Sequence, residues 1–153
     1  MTRDYLLFGK ADGIINILDA SNIERNLYLT MQLIELSLPM VVALNMMDEV
    51  RANGTSIDLE KLADELGVPV VPISASKDEG VDELVEVAME TVQHKRLPRR
   101  LDFCTGAVHR AIHSTAHMVE DHAAAIGVPM RFAATKLIEG DAPMLERLHL
   151  SQN

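Results

Sequence analysis

Three short apolar runs alternate with stretches of helical periodicity along the first ninety or so residues. They are Ile14–Leu18 (IINIL), Met40–Leu44 (MVVAL) and Val68–Ile73 (VPVVPI). This alternation constrains the fold more than any other feature. Successive strand–helix–strand units cross right-handedly and lay their strands parallel. None of the runs shows clean period-two patterning, so each is expected to be buried on both faces of a parallel sheet. Pro72 cannot donate to a neighbouring strand, which places Val70–Ile73 at an edge. The expected fold class is α/β, a three-stranded parallel sheet followed by a small all-helical domain.

The segments between the runs carry helix signals. Leu27, Met31, Ile34 and Leu38 recur at helical spacing, and Asn22 with Glu24 is expected to start that helix. Leu59, Leu62, Ala63 and Leu66 share one face of a second helix, which Asp58 is expected to cap and Gly67 to end. A third helix follows in GVDELVEVAMETV. The basic, proline-broken QHKRLPRRL then reads as a linker with Arg99-Arg100 facing solvent. Beyond it the pattern is wholly helical. Val108, Ile112, Thr115, Val119 and Ile126 fall on one stripe of a long helix that Gly127-Val128-Pro129 stops. Cys104 packs at that helix's start, and His122 sits at the boundary of its apolar side. Two shorter helices follow, separated by Gly140, with Asp141 as N-cap of the second and Pro143 in its first turn. The expected organisation is a first domain over 1–92, a linker over 93–101 and a helical domain over 102–153.

Composition then excludes several classes. Of 153 residues, 48% are hydrophobic and 24% charged, a globular balance rather than a disordered one. A formal net charge of −9 leaves no basic footprint for nucleic acid or for an anionic membrane surface. The single cysteine rules out an internal disulfide framework and fits a reducing compartment. No apolar run approaches the length of a bilayer-spanning helix, so this chain is expected to be soluble by itself.

In an open parallel sheet, ligands sit beyond the carboxyl ends of the strands. Asn45-Met46-Met47-Asp48 ends the second run and Ser74-Ala75-Ser76 ends the third. Together these loops suit the recognition of guanine. A carboxylate at Asp48 can accept from the N1–H and the 2-amino group, donors that adenine lacks on that edge, and the mismatch would leave Asp48 unpaired. Asn45 would brace the loop, Met46 would cover one purine face, and Ser74, Ala75 and Ser76 would offer backbone N–H groups to the guanine carbonyl oxygen. Taken alone, N-x-x-D also describes a loop in which Asn and Asp merely make turns and caps.

IINILDASNIERNLYLTMQLIELSLPMVVALNMMDE resembles the intracellular G domain of the ferrous iron transport protein B family, bacterial proteins that couple a guanine-nucleotide-binding domain to a membrane-embedded iron(II) permease. The likeness continues through VPVVPISAS, and ATKLIEGD resembles the family's helical domain. Carried over by position, Asn45 and Asp48 match the family's guanine-specificity motif and Ser74, Ala75 and Ser76 its last nucleotide motif. Met46 stands where most G proteins have lysine, and Lys77 lies one place beyond the usual position. The resemblance implies GTP or GDP as ligand, Mg2+ in the full-length family, GTPase activity there, and a place at the cytoplasmic face of the bacterial inner membrane.

The sequence departs from a whole G domain in two respects. It contains no G-x-x-x-x-G-K-[S/T] phosphate loop, and no D-x-x-G precedes Ile14. The resemblance therefore implies the second half of a G domain, without phosphate loop, switch regions or permease. Such a chain is expected to bind through base contacts only, weakly and without hydrolysing GTP, and to self-associate through an open strand edge at Ile14–Leu18. Two alternatives stand beside this. One is a nucleotide-free helical interaction module. The other is a metal-binding surface at His109, His113 and His117, which recur every fourth residue.

Overall fold

The computed structural model describes residues 5–7, 11–99 and 106–150. These fall into two compact units, residues 11–99 in one and residues 106–150 with 5–7 in the other.

In the first unit three parallel strands run β1 (Ile14–Asp19), β2 (Met40–Asn45) and β3 (Val70–Pro72), in that spatial order. The expected α/β class and three-stranded parallel sheet are what the chain forms. Helix α1 (Ile23–Ile34) connects β1 to β2, α2 (Met47–Ala52) and α3 (Leu59–Leu66) connect β2 to β3, and α4 (Val81–Gln93) follows. The central strand β2 has five consecutive buried residues, Met40 to Leu44. Its even positions Met40, Val42 and Leu44 pack with Leu18, Ile34, Leu66 and Val68, while Val41 and Ala43 pack with Val71, Ile73 and Leu84 on the other face. β3 is an edge, as Pro72 requires. Ile73 N donates to Leu44 O at 2.8 Å, so the nitrogen of Pro72, one residue earlier, faces away from β2.

β1 corrects the expectation that every run is covered on both faces. Asn16 and Leu18 are buried, but Ile15 and Ile17 are 47% and 63% exposed. Asn16 also gives the buried face of β1 a polar contact: its Nδ2 donates to Thr30 Oγ1 on α1 at 2.9 Å, and the Thr30 hydroxyl donates in turn to Asn26 O at 3.1 Å. A buried amide without such a partner would carry a desolvation cost.

The ends of these elements follow their sequence signals. Asp58 Oδ1 accepts from Lys61 N at 3.0 Å, and Gly67 closes α3 in the left-handed conformation at φ 66°. Asn22 occupies the cap position of α1 without a side-chain capping bond, with Glu24 in the first turn. Leu38 lies beyond the end of α1, which stops at Ile34. Arg99 is exposed, as the linker reading expects, and is also tied to the end of α3: its N donates to Gly67 O at 2.9 Å and its guanidinium to Asp64 O. Arg100 and Cys104 lie outside the described residues.

The second unit packs α5 (Gly106–Met118), α6 (Glu120–Ala125), α7 (Met130–Ile138) and α8 (Ala142–Arg147). The long helix expected from one stripe is two, parted where Val119 leaves helical geometry at φ −107°, ψ 8°. The buried stripe is Ile112, Ala116, Val119 and Ala123, at steps of four, three and four, whereas Val108 is 57% exposed. His122, placed at a boundary by the sequence, is exposed. Ala133 and Ala134 of α7 are fully buried, and Ala134 meets Ile112 and Ala116. Asp141 caps α8 by accepting from Met144 N at 2.9 Å. Lys136 is buried with its ammonium 2.7 Å from Glu139 Oε2 and 5.7 Å from the Phe132 ring centroid.

Candidate functional site

Parallel register levels the carboxyl ends of the strands. Asp19 lies opposite Asn45, and Leu44 opposite Pro72. Three loops therefore emerge on one edge of the sheet.

The loop after β2 turns sharply. Met46 adopts the left-handed conformation at φ 66°, ψ 28°, uncommon for a residue with a Cβ. The turn sends Met47 into the core and leaves Met46 38% exposed at the mouth of the site. Met47 N then donates to Ile73 O at 3.2 Å, and α2 begins at once with Asp48 in its first turn. Asp48 therefore owes its position to a short helix anchored on the neighbouring strand.

The loops after β2 and β3 are joined by side chains. Asn45 Oδ1 accepts from Ala75 N at 3.0 Å. The buried Ser74 hydroxyl donates to Asp48 Oδ1, and Lys77 Nζ lies 3.2 Å from Asp48 Oδ2. Ser74 is itself fixed by a two-way backbone bridge with Glu79, its N–H donating at 3.0 Å and its carbonyl accepting at 3.2 Å. The Ser74 hydroxyl, helped by the Lys77 ammonium, holds the Asp48 carboxyl below its ordinary range. Asp48 is thus an ionised acceptor, 17% exposed, at the carboxyl edge of the sheet. A carboxylate has about four lone-pair positions, so it retains acceptor capacity beyond these two partners.

Asn45, Met46, Asp48, Ser74, Ala75 and Ser76 are thus brought to one place. The N–H groups of Ser74 and Ala75 donate within the protein, to Glu79 O and Asn45 Oδ1, while Ser76 stands exposed beside them. Sequence spacing did not place Lys77 on Asp48. The signal available was only a cation three residues beyond Ser74. At the end of β1, Asp19 accepts from Ser21 Oγ at 2.6 Å and from Ser21 N at 2.8 Å, and these two bonds hold its carboxyl below the ordinary range.

In the second unit His109, His113 and His117 form a row on α5. Ring centroids are 6.2 Å apart for the first pair and 4.6 Å for the second. Among the described residues no group of three or more side chains is gathered to hold a metal ion, and no helix is long and apolar enough to cross a membrane.

Residues 1–88 match the family model described as ferrous iron transport protein B. The chain belongs to that family. It is 50% identical over 80 residues to the Fe(2+) transporter FeoB of Salmonella typhimurium, an alignment covering 52% of this chain and 10% of that one. Among solved structures it resembles a GDP-bound variant of S. thermophilus NFeoB, with a TM-score of 0.87, 42% identity, and 99% of this chain and 57% of that one covered. The cytosolic domain of the T. maritima FeoB iron transporter in a GDP form matches with a TM-score of 0.85, 31% identity, and 99% and 60% coverage. The chain thus spans a tenth of the transporter relative's length and less than two thirds of the solved cytosolic chains.

Proposed function

We propose that this chain supplies the guanine-reading half of the cytosolic nucleotide-binding domain of a bacterial iron(II) transporter, together with the helical domain that follows it. The observation that carries the reading is Asp48, an ionised carboxylate braced by Ser74 and Lys77 at the mouth of the sheet. Asn45 ties its loop to the Ser74–Ser76 turn. The edge of guanine that bears N1–H and the 2-amino group meets Asp48, Met46 covers a ring face, and the Ser74-Ala75-Ser76 turn lies toward the carbonyl oxygen. GDP in the solved FeoB relatives supports the same ligand here.

These residues fit a base but not its phosphates. The chain has no G-x-x-x-x-G-K-[S/T] sequence, and phosphate and Mg2+ contacts normally supply most of the grip on a nucleotide. Binding by this chain is therefore weak, and GTP turnover is absent. In the full transporter the missing contacts come from the remainder of the polypeptide, held at the cytoplasmic face of the membrane. In isolation, a second copy of this chain pairs along β1, whose outer face carries the exposed Ile15 and Ile17.

Titration with a fluorescent guanine nucleotide tests the site. GDP should displace the probe and ADP should not, and both Asp48→Ala and Asp48→Asn should weaken GDP. Equal competition by ADP, or wild-type affinity in both variants, would sink the base-reading role and favour a nucleotide-free helical module. Turnover of GTP by pure protein would refute the absence of hydrolysis.

A further inference from the structure

His113 and His117 lie one helical turn apart on α5, both exposed, with ring centroids 4.6 Å apart and planes at 65°. Side chains four residues apart on a helix stand on the same face. Zinc–nitrogen bonds of about 2.0–2.1 Å in a tetrahedral site put two donor nitrogens about 3.3 Å apart. Two imidazoles at this centroid spacing reach that separation by rotation about their own side-chain bonds, and exposure leaves them room to rotate.

A third group completes the picture. Glu120 Oε2 stands 3.8 Å from His117 Nδ1. The break at Val119 starts α6 at this carboxylate, one turn beyond His117. At that distance the carboxylate is a charged neighbour of the ring rather than its hydrogen-bond partner, and it adds negative charge beside the pair. The chain's net charge of −9 favours the approach of a cation. His109 is half-buried and its ring is 6.2 Å from that of His113, so it stays outside the pair.

We propose that His113 and His117 form a solvent-facing site for one divalent first-row transition ion, with the Glu120 carboxylate adding negative charge beside it and water completing the coordination. Imidazole donors select zinc, nickel, copper or iron(II) over the hard cations magnesium and calcium. The open side of the site makes it an exchangeable surface site rather than a structural one. The assignment is independent of the guanine reading, since it uses no residue of that loop pair.

Calorimetry with Zn2+ on the full chain, carrying no affinity tag, is the test. Saturable heat near one ion per chain is expected in the wild type, with none for Mg2+. His113→Ala and His117→Ala should each weaken Zn2+ binding by about tenfold or more, while His122→Ala on α6 should leave it unchanged. Far-UV circular dichroism on each variant establishes that α5 is intact. Absence of saturable heat in the wild type, or heat that survives either alanine at position 113 or 117 in a folded variant, would overturn the site.

Discussion

At the residue scale, two polar side chains carry more of the architecture than their types suggest. Asn16 is tolerated in a buried strand position because Thr30 Oγ1 on the covering helix accepts a hydrogen bond from its side-chain amide. Thr30→Val keeps the volume and removes the acceptor. It should cost about 1–3 kcal/mol in urea denaturation, and a neutral result would mean that the amide finds another partner. Asp48 makes a different prediction. Its folded pKa lies below the ordinary value of 3.8, held there by Ser74 and then by Lys77. A lowered carboxylate stabilises the fold fully above its unfolded value and loses that contribution as pH falls through the folded value. The stability difference between wild type and Asp48→Asn should therefore be constant above pH 3.8 and shrink below it. A difference that instead changes between pH 5 and 7 would show that Asp48 is not held low.

At the element scale, the sharpest constraint is the entry to α4. Gly80 sits at φ 75°, and a Cβ there would run into the Pro72 carbonyl oxygen of β3. Gly54 has a similar φ of 68° but open space around it. The left-handed region costs an ordinary residue about 1–2 kcal/mol. Thermal denaturation should show Gly54→Ala losing about that amount and Gly80→Ala losing clearly more, because only the latter displaces β3 and the Ser74 turn attached to it. Equal losses would mean that the close approach yields without cost. Caps were readable at this scale: Asp58 and Asp141 accept from the third residue beyond, as their spacing predicts. The division of the α5–α6 segment was not, because neither glycine nor proline marks Val119, and nothing in the local sequence accounts for it.

At the scale of the whole molecule, coverage of the sheet is uneven. β2 is enclosed on both faces, whereas β1 offers Ile15 and Ile17 to solvent and Val85 and Met89 of α4 are 53% and 55% exposed. Gly13, Ile14, Pro39, Ala88 and Val92 line a groove beside them. An apolar face flanking a strand edge that is unpaired among the described residues favours association. Sedimentation velocity should show concentration-dependent growth for the wild type and its suppression by Ile17→Lys, which places a charge on that face without entering the core. A monomer at every concentration, or growth unaffected by the substitution, would remove the pairing along β1.

The sequence by itself determined the parallel three-stranded sheet, the edge position of β3 and most helix ends. These follow from local rules: apolar runs without alternation, a proline with no N–H, a carboxylate three residues before an amide. It also placed Asn45, Asp48 and the Ser74–Ser76 turn at strand ends, since strand ends are legible in the pattern. Only the tertiary structure decided that β1 is covered on one face, that Arg99 caps α3, and that Lys77 and Ser74 both reach Asp48. Each of those depends on which side chains from distant parts of the chain meet, and periodicity along one segment contains no record of its neighbours.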